Sequence, residues 1–191
     1  MFSKRLSHEQ EHIVSEIERL LPAFRSFAIG LTGDRFAADD LVQASCERAL
    51  GRLDQVTDIS GVGSWVNRII YTQWQDRLRK RKSRRAKLIS FGQYRSNQLQ
   101  SVHAGDSRAI TKLDIERALD LLSEDHRAVL ALVVLAGHNY QEAAMILDIP
   151  LGTVASRVAR AKATLAEFLL PTSARSEENR RIGRLSDEYE R

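Results

Sequence analysis

Hydrophobic positions recur at helical spacing along this chain, most clearly from Asn139 to Leu169. Stepped at about 100° per residue, Val154, Val158, Ala161, Leu165, Phe168 and Leu169 gather on one narrow side of a helix. Thr153, Ser156, Arg157, Arg160 and Thr164 share another arc, which carries hydroxyls and guanidiniums but no acid. Asn139 with Glu142 three residues on reads as a capping box that opens a short preceding helix. Asp148-Ile149-Pro150 stops that helix and restarts the next, because proline suits a first helical turn. A short helix, a tight turn and a longer two-faced helix form the pattern of a helix-turn-helix that enters DNA. The competing reading is an ordinary helical hairpin with a solvated face.

Elsewhere the same periodicity predicts further helices. Ile13, Ile17, Leu20, Leu21, Phe24 and Phe27 make an N-terminal stripe, which Pro22 is expected to break into two helices. Thr32-Gly33-Asp34 reads as a turn. A helix is predicted over 37–50, with Leu41, Val42, Ala49 and Leu50 apolar and Asp39 and Asp40 near its positive end. Gly61 and Gly63 predict a loop over 54–64, and the third helix is expected from Trp65 into a basic run. Residues 88–110 are polar and weakly patterned, the mark of a flexible linker. Helices over 112–122, 124–136, 140–147 and 151–169 complete the pattern. Strand-like alternation is not sustained anywhere. The fold class is therefore all-α: two small helical domains, 1–87 and 111–170, joined by the linker and followed by an extension over 171–191.

Composition fits this picture. With 191 residues, 43% of them hydrophobic, the chain can build buried cores for one large or two small domains. The lone Cys46 excludes an internal disulfide and a multi-cysteine zinc site. The sequence contains neither a signal peptide nor a membrane-length apolar run, so a cytoplasmic protein without membrane insertion is expected. Net charge is only +4, but it is unevenly placed. Residues 79–87, from Arg79, Lys80 and Arg81 to Lys87, hold seven positive charges in nine positions. Such a run favours a polyanion through counterion release. Trp65, Tyr71 and Trp74 lie close by in sequence, where bases could stack on them; core packing is the alternative for each.

One catalytic motif needs weighing. His8-Glu9-Gln10-Glu11-His12 matches the H-E-x-x-H spacing of zinc peptidases. No extended third-ligand pattern follows it, and no strands are predicted that could form a substrate cleft. Gly61-Val62-Gly63 lacks the third glycine of a dinucleotide loop. No catalytic constellation, metal site or cofactor is expected, and the protein is not expected to be an enzyme.

Four sets of residues then converge. Leu31-Thr32-Gly33-Asp34 is followed by Ala38-Asp39-Asp40-Leu41-Val42-Gln43, and Ser64-Trp65-Val66 leads to Asp76-Arg77-Leu78-Arg79-Lys80. Beyond the linker come Leu122-Ser123-Glu124-Asp125-His126-Arg127-Ala128-Val129-Leu130, then Tyr140-Gln141-Glu142-Ala143-Ala144 with Gly152-Thr153-Val154-Ala155-Ser156-Arg157. In this order the motifs resemble the extracytoplasmic-function (ECF) sigma factors of bacterial RNA polymerase, over about residues 20–170. The chain departs from that pattern at Tyr71, where the family often has Arg, at Thr72, often Asn, and at Ala155, often Lys.

The resemblance implies a specificity subunit that binds core RNA polymerase, through its β′ clamp and β subunits, and directs it to promoter DNA. Asp39, Asp40, Leu41 and Gln43 would lie on the helix that docks on the β′ clamp. The 54–64 loop with Trp65, Tyr71 and Thr72 would engage the −10 element, and Arg77, Arg79, Lys80 and Arg81 its phosphates. Thr153, Ser156, Arg157 and Arg160 would approach the −35 element. The resemblance also implies an anti-sigma factor as partner. A free-standing helix-turn-helix regulator is the alternative, and no dimerising coiled coil supports it.

Overall fold

A computed structural model describes residues 7–89 and 117–169. Helix α1 spans His8–Thr32, α2 Arg35–Leu50 and α3 Val62–Ile89. Helix α4 spans Glu124–Leu130, α5 Tyr140–Leu147 and α6 Leu151–Leu169. No strand occurs among the described residues. The expected linker lies outside them, except for its first two residues, which continue α3; the 171–191 extension lies outside entirely.

Local chemistry sets most boundaries. Ser7 and Gln10 form a capping box at the start of α1, and Gly33 ends it at φ 69°, a left-handed conformation that suits glycine. Asp34 then caps α2 by accepting from the Ala37 N–H at 2.7 Å. The predicted box at Asn139 and Glu142 forms, with both hydrogen bonds at 2.9 Å. Asp148 ends α5 at φ 58°, and the Pro150 carbonyl accepts from Thr153 and Val154 to open α6.

Some expectations fail. Pro22 lies inside one continuous α1. It and Glu18, whose carbonyl it leaves free, are exposed, so water can reach that group. Ile13, Ile17, Phe24, Phe27, Ala28 and Leu31 bury one face along both sides of the proline, which favours keeping the helix whole. The 54–64 loop contains two short 3₁₀ turns, Leu53–Gln55 and Ile59–Gly61, and α3 begins three residues before Trp65. Leu50 is exposed; α2 buries Ala38, Leu41, Val42, Ser45 and Ala49 instead. The helix expected over 124–136 changes to a π-helix over Ala131–Leu135.

The two halves do not stand apart. The π-helical segment packs on α1 and α5 packs on α3, so one continuous core joins Phe27, Leu31, Val66 and Ile70 to Val129, Leu132, Ile146 and Val154.

Candidate nucleic-acid interface

Helix α6 is positioned by its apolar side. Val154, Val158 and Ala161 are buried as the stripe predicts, while Leu165, Phe168 and Leu169 are half-buried. Ala155 and Ala166 are buried too, so the covered face extends away from the polar arc. Along that arc Arg160 is exposed, and Thr153, Ser156, Arg157 and Thr164 are half-buried. Ser156 donates to the Thr153 carbonyl at 3.1 Å and Thr164 to the Arg160 carbonyl at 3.1 Å, so both hydroxyls stay close to the helix backbone.

The arc is acid-free in sequence but not in space. Asp125, from the first turn of α4, accepts from the Arg157 guanidinium at 2.7 Å. Next to it His126 is held below the ordinary histidine range, first by burial and then by the positive charges of Arg160 and Arg157. Sequence reasoning missed both residues as neighbours of the arc, because they entered only within the Leu122–Leu130 motif and lie about 30 positions from Arg157 in sequence.

Helix α3 divides along its length. Val62, Val66, Ile70, Tyr71 and Trp74 are buried in its first half, together with the polar Asn67. Tyr71 and Trp74 pack with ring centroids 5.9 Å apart, and the Tyr71 hydroxyl accepts from Gln75 at 2.7 Å. Tyr71 is 8% exposed and Trp74 6%, so in this arrangement neither offers a face for base stacking. Burial and the nearby Asp125 carboxylate raise the Tyr71 pKa. Trp65 is half-buried; Thr72 is exposed and donates to the Arg68 carbonyl.

The second half of α3 is a cationic rod. Arg77, Arg79, Lys80, Arg81, Lys82 and Arg84 are exposed. Arg77 donates to the Asp40 carbonyl at 3.1 Å, Arg79 pairs with Asp76, and Lys82 reaches Glu124 at 2.7 Å.

The predicted polymerase-docking residues separate by burial. Leu41 is fully buried and holds α2 in place, so it is not a surface contact. Asp40 and Gln43 are exposed, and Asp39 pairs with Arg25 of α1 at 2.6 Å. Between α1 and α2 runs a shallow groove of about 440 Å³, with Leu21 and Leu50 exposed at its sides and Val42 and Cys46 along it. Burial pushes the Cys46 thiol above its ordinary range.

At the N-terminus, His8 and His12 are exposed on the first turns of α1, and His8 lies 3.8 Å from Glu11. Among the described residues, no group of three or more His, Cys, Asp or Glu converges on a point that could hold a metal ion. No helix among them is long and apolar enough to cross a membrane.

A helix-turn-helix behind a helix with a cationic end defines a two-part, all-helical nucleic-acid-binding protein. Residues 17–84 match the family described as Sigma-70 region 2, and residues 112–165 match Sigma-70, region 4. The chain is 35% identical over 154 residues to the ECF RNA polymerase sigma factor EcfG of Rhodopseudomonas palustris, covering 81% of this chain and 83% of that protein. It is 30% identical over 135 residues to the ECF RNA polymerase sigma factor SigM of Mycobacterium tuberculosis, covering 69% and 64%. Its fold matches the sigma factor RpoE of Bartonella quintana, solved in complex with the anti-sigma factor NepR. The TM-score is 0.67 at 31% identity, over 82% of this chain and 95% of that one. The chain belongs to the ECF sigma factors of the sigma-70 family, DNA-binding subunits that direct RNA polymerase to promoters.

Proposed function

We propose that this sigma factor divides its work among three surfaces, with the domains running over residues 1–87 and 111–170. The α1–α2 groove, flanked by the Arg25–Asp39 pair with Asp40 and Gln43 nearby, docks on the β′ clamp of core RNA polymerase. Its exposed Leu21 and Leu50 supply apolar area, and the charges around them set orientation. The 54–64 segment, Trp65 and Thr72 engage the −10 element, while Arg77, Arg79, Lys80 and Arg81 hold phosphates. Phosphate contacts position the strand and carry no sequence information of their own. Opening the duplex needs no nucleotide hydrolysis, because binding of the unpaired strand offsets unstacking, which costs a few kcal/mol per flipped base. The protein therefore acts in the cytoplasm as a specificity subunit rather than an enzyme, with an anti-sigma factor as its regulator.

Helix α6 reads the −35 element through Thr153, Ser156, Arg157 and Arg160. The observation that carries this role is the exposed Arg160 beside the half-buried Thr153, Ser156 and Arg157 on one side of a helix whose opposite side is anchored in the core. A bidentate arginine–guanine contact is worth about 1–3 kcal/mol of discrimination. Arg160→Ala and Arg157→Ala should each lower transcription from promoters that carry a −35 element while leaving core binding intact. Equal loss on templates with and without that element would remove α6 from −35 reading. Because Arg157 is also tied to Asp125, its substitution should lower fold stability as well, whereas that of Arg160 should not.

A further inference from the structure

Within the polar arc of α6, Arg157 is held from outside its own helix. Its Nη2 donates to the Asp125 carboxylate of α4 at 2.7 Å, across 32 positions of sequence. Ser156 and Thr164, in contrast, turn back onto the α6 backbone, and Arg160 is exposed.

The carboxylate is presented from a packed helix. Ser123 caps α4 by accepting from the His126 N–H at 3.3 Å, which sets the first turn that carries Asp125. Ala128, Val129 and Leu130 are buried in the turn that follows, and α4 packs on α6. Groups held on packed helices keep their geometry better than groups on loops.

Folding gains little from this pair. The Asp125 side chain is 55% exposed, and solvent screens an ion pair with so open a carboxylate. Its larger effect is on the freedom of Arg157. A loose arginine samples many rotamers and must give them up to meet a base, which weakens the contact it makes. Arg157 has already surrendered that freedom to Asp125. The guanidinium is a planar fork of N–H donors, so one bond at Nη2 restrains its orientation and leaves other donors for a base. Guanine takes such a fork through O6 and N7. The carboxylate also offsets the charge of Arg157, and it is the one acid among the charged groups acting on His126, the others being Arg160 and Arg157. An arginine so balanced loses attraction for phosphate, which draws on charge, and keeps its match to a base edge, which draws on shape.

Resting on the −35 reading by α6 given above, we propose that Asp125 is a positioning residue for promoter discrimination, whose carboxylate fixes the Arg157 guanidinium for a base edge and weakens that arginine's hold on phosphate. Asp125 acts through Arg157 and need not touch DNA itself.

Full-length variants assembled with core RNA polymerase test this on templates randomised around −35, with the base preference at each position read from the transcripts. Asp125→Asn is close in shape and exposed, so the fold should stand. It should lower the preference that Arg157→Ala also removes by about 5-fold, within the range of one arginine–guanine contact. Preferences that depend on Arg160 should not change. On templates without a favoured −35 sequence, transcription should hold level or rise, because a negative charge beside the phosphates has gone. Asp125→Glu should recover most of the preference by restoring the carboxylate. Asp125→Asn added to Arg157→Ala should change base preference no further, as coupled residues require. A uniform loss on all templates, as a merely loosened helix pair would give, would overturn the positioning role, and so would an additive loss of preference in the double variant. A preference lost in Arg157→Ala but kept in Asp125→Asn would overturn that role alone. If Arg157→Ala left every preference intact, base reading by Arg157 would itself fall.

Discussion

Helices α3 and α6 both carry exposed cations, but they are built on different plans. Helix α6 is two-faced along its length, with Val154, Val158 and Ala161 buried on one side and Arg160 exposed on the other. Helix α3 is divided end to end: its first half lies in the core through Val66, Ile70 and Trp74, and its second half is a charged rod from Arg77 to Arg84. A lateral face fixed by a packed opposite side can present side chains in register with base edges. An exposed charged end can attract phosphate but fixes no register. In the proposed function, the difference separates sequence reading by α6 from strand holding by α3.

Substitutions can break that contrast at its strongest point first. Trp74→Ala should cost about 3–5 kcal/mol in chemical denaturation, as expected for a buried aromatic in the structural half of α3. A loss within about 0.5 kcal/mol, the range of surface changes, would return Trp74 to the candidates for base stacking. Changing Arg79, Lys80 and Arg81 together to Gln should leave the fold intact, since all three are exposed. For the polymerase–promoter complex, the slope of log affinity against log salt should become shallower by about 2–3, at roughly 0.7–0.9 per phosphate contact. An unchanged slope would remove the rod from phosphate binding.

The smallest expected effect is one of pH. His126 is held below its usual value by burial and by Arg160 and Arg157, so folding favours its neutral form. Its contribution to stability is present above the unfolded value of 6.5 and declines as pH falls below it. His126→Gln should flatten that part of the stability–pH profile. A wild-type profile already flat there would contradict the assignment.

Local features were legible in the sequence. The Asn139–Glu142 box, the break at Asp148–Pro150 and the α6 stripe depend on residues a few positions apart, so periodicity and capping chemistry suffice to find them. What escaped depends on distant pairings. Nothing near Arg157 in sequence announces Asp125, and nothing around Tyr71 and Trp74 in sequence shows that both will be buried. Pro22 argued for a break, yet the stripe on either side of it packs as one helix. Gly30 attracts no notice until Ala131 is placed against it.

Run-off transcription with bacterial core RNA polymerase on a genomic promoter library, with and without the protein, tests the central claim most directly. The account predicts transcripts that appear only in its presence, with start sites preceded by shared elements near −10 and −35. Specific duplex binding by the protein alone, with no added transcripts from an active core enzyme, would contradict it.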